Sequence, residues 1–256
     1  QKTVKGFYMD MAPVTNKENS IFVEATGYDT LEERRPDWEE LKKQLPPGTQ
    51  RPPDSLMQAG SLVFKKVTNP VTNFHDVSQW WEWVIGADWK HPFGPNSNLV
   101  GKEQHPVVHV AYEDALAYCQ WAGKRLPTEV EWEFAARGSN EATIYFWGND
   151  VSQLSKYANT WEGNFPLDNS KEDGYEHSAP VKSYPPNSNG LYDMAGNVWE
   201  LTSTPFEQNR QETVIKGGSF LCHASYCANF RLSARMGATY DSSTNHIGFR
   251  TVKDTP

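Results

Sequence analysis

A chain of 256 residues, of which 38% are hydrophobic and 22% charged, is long enough to bury a core and too apolar to be disordered. Its net charge of −8 and its lack of a Lys/Arg cluster exclude a typical nucleic-acid surface, although a cation or a basic peptide remains a compatible partner. The sequence has no apolar run of about 18 residues, which excludes a predicted membrane helix, and its three cysteines are too few for a disulfide scaffold.

The first half of the chain predicts short elements between loops. Thr15 or Asn16 caps a helix that runs to about Thr26 and ends at Gly27. Residues 30–60 are polar and rich in proline, which predicts a long surface loop. Alternating apolar residues predict three short strands, at residues 4–9, 62–68 and 105–110.

Two further helices are predicted after these strands. The first covers Tyr112 to Trp121 and is stopped by Gly123. The second begins at a capping box that starts at Thr128, and this helix is stopped by Gly138. Their inward positions are expected at Ala115, Leu116, Cys119, Ala122, Val130, Phe134 and Ala135. Loops follow, with two short strands of one sheet at residues 217–220 and 248–252. The prediction is a single α+β domain over residues 1–256 with little regular secondary structure.

The sharpest chemical signal is the pair Cys222 and Cys227, with His223 between them. This spacing lets the chain loop back and bring two sulfurs to one soft ion such as Cu(I), which prefers thiolate ligands. The same spacing can close a disulfide if the two Cα atoms lie roughly 4.4–6.8 Å apart. Zinc would need two more ligands, and only His223 is close in sequence. A copper site and a disulfide therefore both remain open.

The segment from Lys216 to Cys227, which reads KGGSFLCHASYC, resembles the active-site segment of formylglycine-generating enzymes. Other parts of the chain resemble the same family, at residues 86–97, 105–138, 189–203 and 241–250. The resemblance implies the FGE-sulfatase fold, which is C-type-lectin-like, with room for a further strand ahead of the first residue. In that family the cysteine pair separates catalytic members from related proteins that keep the fold and lose the cysteines.

The resemblance implies a copper-dependent oxidase that uses O2 and an external reductant. Its substrate would be a cysteine in the Cys-x-Pro-x-Arg segment of an unfolded sulfatase polypeptide, which it would convert to Cα-formylglycine. Cys222 and Cys227 match the Cu(I) ligands, Ser219 matches a residue of the oxygen pocket and Trp199 matches a tryptophan beside it. Four residues match the substrate side of the site: Trp80, Trp81, His223 and His246. The two tryptophans can equally be core anchors, and His223 can equally serve packing.

Oxygen-bearing side chains crowd between Asp168 and Glu176, and on sequence alone this segment is a solvated acidic loop. The resemblance instead implies two Ca²⁺ sites that hold the loops in place and pre-form the copper site. The first set maps onto Asn159, Thr160, Asp173 and Tyr175, and the second onto Asp193, Gly196, Val198 and Glu200. Four of these would act through backbone carbonyls: Thr160, Tyr175, Gly196 and Val198.

The remaining candidates are structural. We expect Cys119 to be a buried free thiol, because the resemblance puts Leu232 where its disulfide partner would lie. We expect His105 and His109 not to share a metal ion, because four residues of a strand span about 13 Å. A non-catalytic binding or scaffold module on the same fold is the alternative function. An iron enzyme that oxidises small thiols would need a histidine-rich site that the sequence lacks.

Calcium binding favours an exported protein, periplasmic or secreted, although free thiols are compatible with the cytosol. We expect the protein to be bacterial. We expect a monomer.

Overall fold

The computed structural model describes residues 3–43, 46–71, 73–74, 76–139, 142–207, 211–223 and 227–255. Within them lie the α-helices Asn16–Thr26 (α1), Trp38–Leu41 (α2), Tyr112–Ala122 (α3), Glu129–Arg137 (α4) and Leu154–Tyr157 (α5). The strands are Phe7–Met9 (β1), Gly60–Phe64 (β2), Trp81–Ile85 (β3), Gly163–Asn164 (β4), Asp168–Asn169 (β5), Trp199–Pro205 (β6), Glu212–Lys216 (β7), Met236–Thr239 (β8), Ile247–Gly248 (β9) and Val252–Asp254 (β10). None of the described helices is long and apolar enough to span a bilayer.

The central sheet has the strand order β8-β7-β6-β9, with β9 parallel to β6 and the other neighbours antiparallel. Three antiparallel pairs lie outside it: β1 with β10, β2 with β3, and β4 with β5. The predicted strand at residues 217–220 is wrong, because β7 ends at Lys216 and both Gly217 and Gly218 have positive φ. The predicted strand at 248–252 is divided between β9 and β10, which belong to different sheets.

The helix predictions are confirmed at their ends. Thr15 caps α1 and Thr128 caps α4, each with a capping box, while α1 and α3 end at the left-handed Gly27 and Gly123. Two inward assignments are wrong: Leu116 is 42% exposed and Phe134 is 58% exposed. The fully buried ring on α4 is Trp132.

Two loop and strand predictions need correction. Residues 105–110 form no strand, because His109 has φ 55° and the extended conformation cannot continue through it. Residues 30–60 are not entirely a surface loop: they contain α2, and the side chains of Thr30 and Glu32 are buried. His105 and His109 do not share a partner. The ring of His105 is hydrogen-bonded to Ser178, and the ring of His109 is hydrogen-bonded to Ser61 and to the carbonyl of Pro92.

The strand predicted at 62–68 starts two residues earlier, at Gly60, and pairs with β3 in the tryptophan-rich stretch, where no strand was predicted. Next to this hairpin lies an aromatic cluster of buried side chains, formed by Phe64, Trp80, Trp161, Phe165, Phe220 and Leu221. The cluster reaches the cysteine segment, since the backbone N–H of Trp161 donates to the carbonyl of Cys222 over 3.0 Å. Large rings thus take over the role of regular secondary structure around residues 219–222.

Candidate active site

The turn after β7 brings the two cysteines together. The N–H of Cys222 donates to the carbonyl of Ser219 over 2.9 Å, and the N–H of Cys227 donates to that of His223 over 2.8 Å. As a result the Cα atoms of Cys222 and Cys227 lie 4.7 Å apart and their sulfurs are within bonding distance, in the form of a disulfide. The motif residues Ser225 and Tyr226 lie outside the described residues.

Both sulfurs accept hydrogen bonds. The backbone N–H of Ser219 lies 3.4 Å from Sγ of Cys222, and the Nδ2 amide of Asn229 lies 3.3 Å from Sγ of Cys227. In the reduced protein these donors would favour thiolates, and two neighbouring thiolates form a donor set that suits Cu(I). The same spacing suits a disulfide. Sequence reasoning missed Asn229, although an amide two residues after Cys227 was a visible signal.

Cys227 opens onto a largely apolar cavity of about 680 Å³, whereas Cys222 is buried behind it. Six of the eight residues predicted for the catalytic and substrate sites line this cavity: Trp80, Trp81, Trp199, Ser219, Cys227 and His246. Residues that sequence reasoning did not find also line it, among them Leu62, Phe165 and Met236. His223 is not among the lining residues, and its burial lowers its pKa.

Three rings form one wall of the cavity. The rings of Trp81 and His246 have their centroids 4.9 Å apart. The backbone N–H of Trp199 donates to the backbone carbonyl of His246 over 2.9 Å. Burial lowers the pKa of His246 to about 3, with a smaller contribution from His109. His246 is therefore neutral at physiological pH and can serve as a hydrogen-bonding or stacking group rather than as a cation.

The two neighbouring tryptophans have different environments. Trp80 is fully buried and packs against Phe165 with ring centroids 5.9 Å apart, so it is a core anchor whose edge also reaches the cavity. Trp81 is only half-buried and contributes its ring to the open wall. Trp80 is therefore a core anchor, while the substrate-side role of Trp81 stays a prediction.

The first predicted calcium set is brought together by two loops. The carboxylate of Asp173 accepts from the N–H groups of Thr160 and Tyr175, over 2.9 and 3.0 Å. The Oδ1 atom of Asn159 is buried without a hydrogen-bond partner, and burial raises the pKa of Asp173. An oxygen without a partner and a partly buried carboxylate are the features that a bound cation would stabilise, so these residues fit Ca²⁺.

The second set contains a buried ion pair. The carboxylate of Glu200 is bonded through both oxygens to the guanidinium of Arg250, each over 2.6 Å, and also accepts from the indole N–H of Trp132. Glu200 is thus the counter-ion of a buried arginine, and its role as a calcium ligand stays a prediction. The Oδ1 atom of Asp193 remains buried without a partner. In the part of the chain that the structure describes, no three His, Cys, Asp or Glu side chains converge on a metal site.

The chain is similar in sequence to known proteins along nearly its whole length. Residues 1–255 match the family model FGE-sulfatase, described as a sulfatase-modifying factor enzyme 1-like domain. The chain is 41% identical to the mouse formylglycine-generating enzyme, in a match that covers 98% of this chain and 67% of the mouse protein. It is 39% identical to the mouse inactive C-alpha-formylglycine-generating enzyme 2, with coverage of 97% and 75%. Overall identity thus does not separate an active relative from an inactive one.

The structure of PvdO from Pseudomonas aeruginosa has the same fold, with a TM-score of 0.60 and 23% identity over 97% of this chain and 80% of that one. The whole-length family match, the fold and the α+β content agree with the prediction made from the cysteine segment. The chain belongs to the FGE-sulfatase family.

Proposed function

We propose that this protein oxidises the cysteine of a Cys-x-Pro-x-Arg segment in an unfolded sulfatase polypeptide to Cα-formylglycine. The observation that carries the proposal is the close pair Cys222 and Cys227, of which Cys227 lines an open cavity of about 680 Å³. A cavity of this size has room for a peptide side chain together with its flanking backbone. The names of the active relatives support the same reaction.

The residues of the site would have different roles. The thiolates of Cys222 and Cys227 would hold Cu(I), which supplies a redox-active centre for O2. Ser219, whose hydroxyl accepts from the N–H of Leu221 over 3.2 Å, offers a polar position in a largely apolar wall. The rings of Trp81 and Trp199 would exclude water and hold the apolar part of the peptide against the cysteines.

The reaction is balanced with an external reductant. The substrate sulfur leaves as hydrogen sulfide, one atom of O2 becomes the aldehyde oxygen and the other becomes water. O2 takes up two electrons from the substrate carbon and two from the reductant, for which a pair of thiols suffices. The same reductant would open the Cys222–Cys227 disulfide and make both sulfurs available as thiolates.

Mass spectrometry of a Cys-x-Pro-x-Arg peptide tests the proposal. The peptide is incubated with the protein, Cu(I), O2 and a thiol reductant, and the aldehyde is captured with a hydrazide. We expect conversion by the wild type and its loss in both Cys222→Ser and Cys227→Ser. Cys119→Ala is the matched control, because Cys119 is a buried free thiol on α3 that does not line the cavity.

If the copper-loaded wild type leaves the peptide unchanged, the proposal fails. The protein would then be a non-catalytic binding or scaffold module on this fold, which also includes a mouse relative named as inactive.

A further inference from the structure

The outer edge of β3 is open. The hairpin of β2 and β3 is a two-stranded sheet, and β3 has no second neighbour among the described residues. The opposite edge, on β2, is covered, because the carbonyl of Leu62 accepts from the N–H of Asn245 over 3.3 Å. Of the two edges of this hairpin, the β3 edge is therefore the one available for pairing with another chain.

The register shows which backbone groups lie at that edge. Just beyond the ends of the hairpin, the N–H of Lys65 donates to the carbonyl of Trp80 and the N–H of Gly86 donates to that of Ala59. Hydrogen-bonded and non-hydrogen-bonded pairs alternate in an antiparallel ladder, so Glu82 and Val84 bond to β2. The N–H and C=O groups of the three remaining β3 residues, Trp81, Trp83 and Ile85, point outward.

The side chains of the same three residues form an apolar strip that starts in the cavity. Trp81 lines the cavity, and so does Leu62, the cross-strand partner of Trp83. Trp83 is 45% exposed and Ile85 is 43% exposed. Alternation along a strand puts Trp81, Trp83 and Ile85 on one face, and the strip extends roughly 13 Å away from the cavity.

Exposed edges of natural sheets are usually protected by lysine, proline or a bulge. The β3 edge carries none of these at its outward positions, and its large apolar side chains would favour pairing with a further strand.

We propose that the β3 edge binds the polypeptide that flanks the reacting cysteine, as an extended third strand of the β2–β3 sheet. This inference rests on the proposed function, since it assigns a binding surface to the same substrate. An unfolded segment can use its free backbone N–H and C=O groups to form hydrogen bonds with those of Trp81, Trp83 and Ile85. Every second side chain of that segment would lie on the apolar strip, and the strand would lead directly into the cavity at Trp81.

Peptides of two lengths test the pairing with the wild-type protein. A short peptide carries only Cys-x-Pro-x-Arg, and two longer ones add six residues with alternating apolar side chains before or after it. We expect one extended peptide to have a KM about tenfold lower than the short one, as expected from one or two net backbone hydrogen bonds. Equal KM values for all three peptides would overturn the inference, whereas no conversion of any peptide would overturn the proposed function instead.

Backbone methylation distinguishes strand pairing from simple apolar contact. The favoured extension is made with N-methyl groups at its odd positions or at its even positions, with side chains unchanged. Pairing with β3 uses only alternate N–H groups, so one set should abolish the gain in KM and the other should preserve it. If the two sets behave alike, the inference fails.

Variants of Trp83 test the protein side. Trp83→Pro removes an outward N–H without removing a bond to β2, and Trp83→Val removes the ring but keeps the N–H. The ratio of KM for the short and extended peptides should fall to one in Trp83→Pro and remain clearly above one in Trp83→Val. Light scattering adds a further outcome: a wild-type dimer that Trp83→Pro dissociates would mean that a second copy of this chain occupies the edge, and would overturn the inference.

Discussion

At the scale of single residues, two buried carboxylates near one arginine differ in what they bind. Glu200 and Arg250 are both fully buried and form a two-pronged ion pair, to which Trp132 adds a third hydrogen bond. Asp193 lies close by, with one oxygen bonded to the N–H of Lys182 and the other without a partner. Burial raises the pKa of Asp193 to about 6. The pair holds β6 to the end of the chain, while Asp193 retains spare bonding capacity.

Replacing Glu200 by Gln should therefore destabilise the protein strongly. The variant leaves the Arg250 charge buried without a counter-ion, which typically costs about 3–5 kcal/mol of unfolding free energy. Urea unfolding measures the change. Glu113→Gln is the control, since its ion pair with Arg34 is solvent-exposed and should contribute less than about 1 kcal/mol. Similar losses in the two variants would contradict the assigned role of Glu200.

At the scale of elements, the loops after α5 have little secondary structure to hold them. Between α5 and β6 the described structure contains only the two-residue strands β4 and β5. Contacts from side chain to backbone help to order this region, notably those of Asp173 with Thr160 and Tyr175. The loop also packs against the cysteine segment through Trp161. Anything that stabilises residues 159–175 should thus stabilise the candidate active site as well.

We predict that Ca²⁺ raises the Tm of the protein by several degrees and that a chelator reverses the effect, because a ligand that binds only the folded state adds to its stability. Differential scanning fluorimetry with and without Ca²⁺ measures it. Asp173→Asn should lose the shift. Asp168→Asn, an exposed carboxylate of the same acidic loop, should keep it. A shift of equal size in all three proteins would exclude the site at Asp173.

At the scale of the whole molecule, a buried hydrogen-bond chain links four distant segments. Glu32, Ser243, Ser61 and His109 are hydrogen-bonded in that order, and the second ring nitrogen of His109 lies 2.9 Å from the carbonyl of Pro92. Burial lowers the pKa of His109 to about 4, so the ring is neutral and has one N–H. That N–H donates to the carbonyl of Pro92, so the other ring nitrogen accepts from the hydroxyl of Ser61, while at the far end of the chain the hydroxyl of Ser243 donates to the carboxyl group of Glu32.

A protonated Glu32 makes stability depend on pH. Burial raises the pKa of Glu32 from 4.5 to about 8 in the folded protein, and the nearby Asp114 and Asp241 add to the shift. The folded state then binds a proton that the unfolded state has released, so this contribution is complete below about pH 4.5 and is lost as pH rises through about 8.

Glu32→Gln should reduce the fall in Tm between pH 5 and pH 9, because glutamine cannot ionise. Thermal unfolding at these two pH values measures the effect. Glu24→Gln, on the exposed face of α1, should follow the wild type. A Glu32→Gln protein with the same pH dependence as the wild type would show that Glu32 is not protonated in the folded state.

Local signals in the sequence predicted the parts of the fold that depend on neighbouring residues. Capping boxes at Thr15 and Thr128 and glycines at helix ends locate α1, α3 and α4 because the bonds they make lie within a few residues. The cysteine pair is similarly local, and the resemblance of its segment indicated the family and six of the residues that line the cavity. These features are decided by short-range geometry, so the order of residues is sufficient.

Long-range contacts decided the rest. The bond between Glu200 and Arg250 joins residues 50 apart, and it gives a buried arginine its counter-ion. The open edge of β3 depends on β2 pairing with it and on Asn245 covering the other side. The sequence by itself thus determined α1, α3 and α4, the family and the pairing of the two cysteines. Only the tertiary structure decided which carboxylate forms a buried ion pair, which of the two neighbouring tryptophans is buried and which strand edge is exposed, because each depends on a partner brought from elsewhere in the chain.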